Sequence, residues 1–177
     1  AAQKVRSELG SCQFLLPVAD SIDPNMLRQR LGTNPLGIQL IEGEPYDVMN
    51  SCDMLIIASG SATLEAGILG CPMVIIYKLN PLTYILAKFL VNAPLVGLVN
   101  IVAEEEVVPE LIQGKVTAEN ICTEVLAVLQ APEKEKAVRE RLLKIKSTLG
   151  DPEVMKVVAK RIADVMDKLS ANEKTPI

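Results

Sequence analysis

Short unbroken apolar runs alternate along this chain with stretches of helical spacing. Val5 and Leu9 stand at i and i+4, so residues 1–10 read as the last turns of a helix. No initiating Met and no N-cap residue precede them, so the chain reads as starting inside an element. CQFLLPVA (12–19), GIQLIEG (37–43), DMLIIAS (53–59) and PMVIIYK (72–78) are runs of strand length. Between them, Asp23-Pro24 supplies an N-cap and a first-turn proline for a helix through about Leu31. PYDVMNSC (45–52) reads as a short helix. SATLEAGILG (61–70) has helical spacing and ends in Gly70, suited to a C-cap. PLTYILAKFLV (81–91) again opens on proline and reads as helical.

Continuously apolar strands separated by helices mark a parallel sheet covered on both faces, which predicts a Rossmann-like α/β fold. The regular alternation ends near residue 91, and 92–116 reads as an irregular passage containing Pro and Gly. Such passages inside compact domains are often functional. Three helices follow: one capped by Thr117 through about Gln130, a charged one over about 132–149, and one opened by Asp151-Pro152-Glu153. In the last, Val154, Val158, Ile162, Val165 and Leu169 keep helical period. The charge run 133–146 reads as a solvated helix face. These readings divide the chain into a domain over 1–150 and a C-terminal helix with a loose tail over 151–177.

Composition narrows the chemistry. Of the 177 residues 49% are hydrophobic, enough for one sizeable core, but only 3% are aromatic and none is Trp. A net charge of −4 lacks the basic footprint of a nucleic-acid binder, and nucleic acid is not an expected partner. The absence of His rules out histidine acid–base chemistry within the chain. Cys12, Cys52, Cys71 and Cys122 are dispersed without a C-x-x-C pair, so they read as small apolar residues of a reducing compartment. Charges and prolines interrupt every long apolar stretch, so no membrane span is expected. A cytoplasmic location follows from these readings.

The stretch with chemical content is IIASGSATLEAG (56–67), where a buried strand ends in Ser59-Gly60-Ser61 and a helix begins at once. Ligands of open parallel sheets collect beyond the carboxyl ends of the strands. A helix N-terminus there offers unpaired N–H groups and a positive dipole end suited to a pyrophosphate. Gly60 permits close approach of the backbone, while Ser59, Ser61 and Thr63 add hydroxyl donors. Glu65 would repel phosphate, yet it could accept hydrogen bonds from a ribose diol just beyond. The same residues also suit an ordinary helix cap with an acid complementing the dipole, and the local motif does not choose between the two.

The order of motifs over 59–113 does choose. SGSATLEAGILGCPMVIIYKLNPLTYILAKFLV followed by GLVNIVAEEEVVPELIQ resembles the S-G-T-A-x-L-E, P-M-V-V-x-Y, P-x-T, A-K-x-L-V, L-P-N and V-P-E-x-x-Q series of bacterial lipid-A-disaccharide synthases. The resemblance implies a GT-B architecture, two Rossmann-like halves with the active site between them, this chain being most of the C-terminal half. It implies that Ser59, Gly60, Ser61, Ala62 and Thr63 face a UDP diphosphate and Glu65 the ribose. Asn100, Glu110 and Gln113 would line the same donor site. Tyr77 and Lys78 end the neighbouring strand and could border it, although a strand-end Tyr more often packs. The chain departs from the series at Leu98-Val99-Asn100, where the proline of L-P-N is missing. A glycine-serine-arginine turn that opens the family's C-terminal half would precede Ala1, and the acceptor-binding half is absent too.

What the resemblance implies in function is an inverting transfer of 2,3-diacylglucosamine from UDP-2,3-diacylglucosamine to the 6-hydroxyl of 2,3-diacylglucosamine 1-phosphate, with release of UDP. The catalytic base would lie in the other half, so this chain alone is expected to be inactive. No Asp-x-Asp pair is present, so neither metal nor cofactor is expected. Acylated substrates make contact with the inner-membrane surface plausible, and PLTYILAKFLV could present Leu82, Ile85, Leu86 and Phe89 to lipid if that face is not core. A homo-oligomer stays open. Other GT-B UDP-sugar enzymes, such as a peptidoglycan-precursor transferase or a UDP-sugar 2-epimerase, and a non-enzymatic α/β ligand-binding module are the competing readings.

Overall fold

The computed structural model describes residues 1–80, 95–150 and 154–172. Elements follow the order α1 (Ala2–Leu9), β1 (Leu15–Val18), α2 (Pro24–Leu31), β2 (Gln39–Glu42), α3 (Pro45–Ser51), β3 (Leu55–Ala58), α4 (Ser61–Ile68) and β4 (Met73–Tyr77). After residues outside the description come α5 (Leu98–Ala103), β5 (Glu110–Ile112), a 3-10 turn (Gln113–Lys115), α6 (Ala118–Leu129), α7 (Pro132–Thr148) and α8 (Val154–Asn172). The expected helix over 81–91, with its candidate lipid-facing residues, lies outside the described residues. So do Asp151-Pro152-Glu153 and the end of the tail.

All strand pairing is parallel, as the unbroken apolar runs imply. β1 pairs with β2, and a second sheet has the order β3-β4-β5. The centre of that second sheet is β4, whose successive side chains point to opposite layers. Met73 and Ile75 enter a core with Ala66 of α4, Val99 of α5 and Leu142 and Ile145 of α7. Val74 enters another with Val5 of α1, Leu111 of β5 and Ile121, Cys122 and Val125 of α6. Helices therefore cover both faces, and the fold class is the expected Rossmann-like α/β arrangement.

Local chemistry explains most boundaries. Asp23 caps α2 by accepting from the Asn25 N–H at 2.9 Å, with Pro24 in the first turn. Thr117 caps α6 by accepting from the Asn120 N–H at 3.1 Å. α4 closes with paired bonds in the Schellman pattern: Cys71 N–H to Ala66 O at 3.0 Å and Gly70 N–H to Gly67 O at 2.9 Å. Gly70 takes φ +73, the left-handed conformation this closure needs.

The passage expected to be irregular, 92–116, differs from expectation: it continues the alternation with α5 and β5. α5 is six residues long without a side-chain cap at its start, and β5 is three residues long. Elements that short leave no periodicity to read. The charged helix α7 is also more than a solvated face. Leu142 is fully buried and Ile145 nearly so, while Arg139 pairs with Glu135 at 2.9 Å and donates to Gly70 O at 3.3 Å. Truncating a side chain buried like Leu142 to Ala typically costs about 2–5 kcal/mol. Along α8, Val154, Val158, Ile162 and Val165 are exposed despite their helical period. No helix of the described residues is long and apolar enough to cross a membrane.

Candidate functional site

Parallel pairing brings the carboxyl ends of β3, β4 and β5 to one edge of the sheet, so the segments that follow them meet there. After β3, Ser59 extends the pairing through its N–H to Ile76 O at 3.0 Å and donates its hydroxyl to Val96 O at 2.9 Å. Gly60 is the N-cap of α4 in an extended conformation, with no side-chain cap hydrogen bond at that end. A Cβ placed on Gly60 would meet no atom within 4 Å among the described residues. Glycine is therefore not demanded there by internal packing.

The start of α4 thus points the amides of Ser61 and Ala62 beyond the helix, where the first turn leaves N–H groups without intrahelical acceptors. Gly60 and Ser61 are exposed and Ala62 is half-buried. Thr63 is fully buried, and its hydroxyl donates to Gly60 O at 2.8 Å, fixing the turn from below rather than facing outward. Glu65 is half-buried and makes no side-chain hydrogen bond or ion pair with the described residues. It stands one turn above Ser61, on the same helix face.

Asn100, Glu110 and Gln113 come to the same side of the sheet, and each is occupied in holding backbone. Asn100 is fully buried in α5. Its Oδ1 accepts from the Val107 and Val108 N–H groups at 3.0 and 3.1 Å, and its Nδ2 donates to Val108 O at 2.8 Å and Glu110 Oε1 at 2.9 Å. The Glu110 carboxylate, projecting from β5, accepts from the N–H groups of Val96 and Gly97, both at 2.8 Å. Placed at the amino end of α5, it complements that helix's dipole. The φ of Gln113 is +51, and its amide clasps Leu79 in both directions: Oε1 accepts from Leu79 N–H at 2.7 Å and Nε2 donates to Leu79 O at 3.2 Å. Ser59 and Glu110 therefore fix Val96 and Gly97, and Gln113 fixes the chain leaving β4.

Two glycines absent from the expected site serve this same assembly. A Cβ at Gly97 would lie 2.3 Å from Ile75 Cδ1 and 3.1 Å from Glu110 Oε1. A Cβ at Gly67 would lie 2.6 Å from Val99 Cγ2, so glycine sets the approach of α5 to α4. Neither role is visible in sequence, because the close neighbour is distant along the chain. Tyr77 is half-buried and Lys78 exposed at the end of β4. Cys71 and Cys122 are buried, and Cys12 and Cys52 half-buried. Desolvation raises the thiols of Cys52 and Cys71 above their ordinary value. The described residues contain no group of three His, Cys, Asp or Glu side chains placed to hold a metal ion.

Comparison with known proteins gives this geometry a context. The family model for lipid-A-disaccharide synthetase matches residues 1–162. A lipid-A-disaccharide synthase of Syntrophus aciditrophicus is 39% identical over 153 residues, 86% of this chain and 40% of that protein. One of Geobacter sulfurreducens is 38% identical over 168 residues, 95% of this chain and 44% of that protein. Another, of Trichlorobacter lovleyi, is 41% identical over 150 residues, 85% of this chain and 39% of that protein. The chain spans about two fifths of the length of these relatives.

Proposed function

The chain belongs to the lipid-A-disaccharide synthetase family, and on that premise we propose that it forms the UDP-sugar-binding half of a two-domain GT-B glycosyltransferase. The proposed reaction of the whole protein transfers 2,3-diacylglucosamine from UDP to the 6-hydroxyl of 2,3-diacylglucosamine 1-phosphate, with inversion at the anomeric carbon. A base outside this chain takes the acceptor proton, so the chain alone does not turn over. The acylated substrates place the enzyme at the cytoplasmic face of the inner membrane.

The observation that carries the reading is the uncapped start of α4 beyond the carboxyl end of β3, with no atom of the described residues within 4 Å of a Cβ on Gly60. Backbone N–H groups of Ser61 and Ala62 are aimed where the β-phosphate gathers charge as the glycosidic bond breaks. Fixed dipoles of this kind stabilise developing anions without reorganising. Ser61 adds a hydroxyl, and Ser59 and Thr63 hold the turn. Glu65 accepts from the ribose hydroxyls. Asn100, Glu110 and Gln113 border the donor site through the backbone segments they hold. No metal is needed in this scheme, because the helix start supplies the positive potential.

Calorimetric titration tests the proposal, with UDP and 2′-deoxy-UDP added to the native chain and to Gly60→Val and Glu65→Ala variants. UDP should bind the native chain, and Gly60→Val should weaken it about tenfold or more, in line with losing a charge-assisted hydrogen bond. Glu65→Ala should erase the preference for the ribo form. Equal affinities of all three proteins for both nucleotides would refute the assignment.

A further inference from the structure

The carboxyl edge of the β1–β2 pair carries apolar side chains that the turn before α4 does not use. Val18 ends β1 opposite Glu42, which ends β2, so the segments that follow leave the sheet side by side. The first holds Ile22, 37% exposed, and the second Tyr46, 55% exposed. Phe14 and Tyr77 are half-buried, so Tyr46 is the one exposed aromatic side chain among the described residues. An isolated exposed apolar residue is ordinary on any protein surface. Two together at the edge of a parallel sheet where ligands collect call for a ligand.

Tyr46 stands in the first turn of α3, and α3 packs along α4. Met49 shares a core with Ala66, and the Cys71 thiol donates to Met49 O at 3.0 Å. Both helices end ahead of β3 and β4, whose first residues Leu55 and Met73 are register partners. The ends of the two helices therefore lie together. Because α3 has seven residues and α4 eight, their starts come level as well. Packed helices lie about 8–10 Å apart. That spacing separates Tyr46 from Ser61, and it is a gap that a ribose and its 5′-phosphate can span. Charge sorts the two positions. Glu42, Glu44 and Asp47 are exposed around Tyr46, so this part of the edge repels phosphate while offering acceptors to an N–H group.

We propose that Tyr46 is the platform on which the nucleobase stacks, so that uracil lies on its ring while the diphosphate sits at the start of α4. The inference rests on the phosphate assignment to Ser61 and Ala62 and extends it to the other end of the nucleotide. Uracil suits the place because it is planar and uncharged. Its face stacks on an aromatic ring, and its imide N–H meets acceptors rather than cations. A tyrosine ring also loses little conformational freedom when it is covered. Tyr46 thereby favours a nucleotide over a bare diphosphate, a preference that the amides of α4 cannot supply.

Two measurements test it, with UDP and inorganic pyrophosphate as the probes. The chain contains no Trp, so Tyr46→Trp places a single indole at the platform. UDP should quench its fluorescence along a saturating curve. Pyrophosphate should displace UDP and restore the emission without quenching it. Calorimetry of Tyr46→Ala should show UDP affinity lower by about tenfold with pyrophosphate affinity unchanged, while Tyr46→Phe keeps both. Truncating so exposed a side chain costs the fold little. Pyrophosphate binding retained, with UDP affinity untouched by Tyr46→Ala, overturns the base assignment alone. Equal loss of UDP and pyrophosphate affinity in Tyr46→Ala overturns it too, since the residue would then act on the phosphates or the fold. A native chain that binds neither probe overturns the phosphate assignment and this inference with it.

Discussion

Replacing Asn100 by Ala should destabilise the protein more than it weakens nucleotide binding. The side chain is fully buried, and all of its hydrogen-bonding atoms are engaged. Removing it strands the N–H and the carbonyl of the buried Val108, while Val107 N–H keeps Glu105 O as an acceptor at 3.0 Å. A buried donor or acceptor left unsatisfied costs about 1–3 kcal/mol, so the two stranded groups of Val108 put the expected loss at about 4 kcal/mol. For a domain of this size that corresponds to a fall in Tm of roughly 8–16 °C. Urea unfolding and thermal melting of the two proteins measure it. Asn100→Asp sharpens the test, because it keeps the acceptor for Val107 and Val108 but sets a second carboxyl against Glu110 Oε1. One of the two acids must hold its proton, which raises that group's folded value above its unfolded value. The variant's stability is then best below the ordinary carboxylate range and is lost as pH rises through the raised value. A loss under about 1 kcal/mol for Asn100→Ala, together with a collapse of UDP affinity, would refute the clamp and make Asn100 a ligand contact.

Other substitutions probe neighbouring links. Glu110→Gln should cost about 1–3 kcal/mol by urea unfolding, since an NH₂ in place of either oxygen confronts an N–H of Val96 or Gly97 instead of accepting from it. Gly67→Val should cost at least about 1–3 kcal/mol through overpacking against Val99, read as a lower urea midpoint. Gly60→Ala should leave the urea midpoint unchanged, as its Cβ meets no atom of the described residues within 4 Å. Cys71 donates to Met49 O and has a desolvated thiol, so it should be alkylated by iodoacetamide more slowly than Cys12 at neutral pH. Its raised folded value also predicts that its contribution to stability, complete below the ordinary thiol value of 9.0, is lost as pH climbs through the folded value.

The parts of the fold legible in sequence are those whose cause is local. Asp23-Pro24 and Thr117 announce their helices because a cap is formed within three residues. The run Met73–Tyr77 announces a central strand because both of its faces are buried. The Ser59–Ser61 turn was legible as a helix start beyond a strand, for the same reason. The tasks of Asn100, Glu110 and Gln113 were not, since their partners lie from seven to 34 residues away and only tertiary structure brings them into reach. α5 and β5 were missed because short elements held by side chains of other segments carry no period of their own. Ile56 shows the opposite case: its apolar run predicts burial, yet it is exposed in a cleft that it lines together with Leu15 and Met54.

The central claim is that backbone amides at the start of α4 hold the diphosphate of a UDP-linked sugar. Titrating ¹⁵N-labelled protein with UDP and following its amide resonances tests this most directly. The account predicts that the Gly60, Ser61 and Ala62 resonances shift together along one saturating curve, and that inorganic pyrophosphate moves the same set. Saturable binding that leaves those three amides unmoved while resonances elsewhere shift would contradict it.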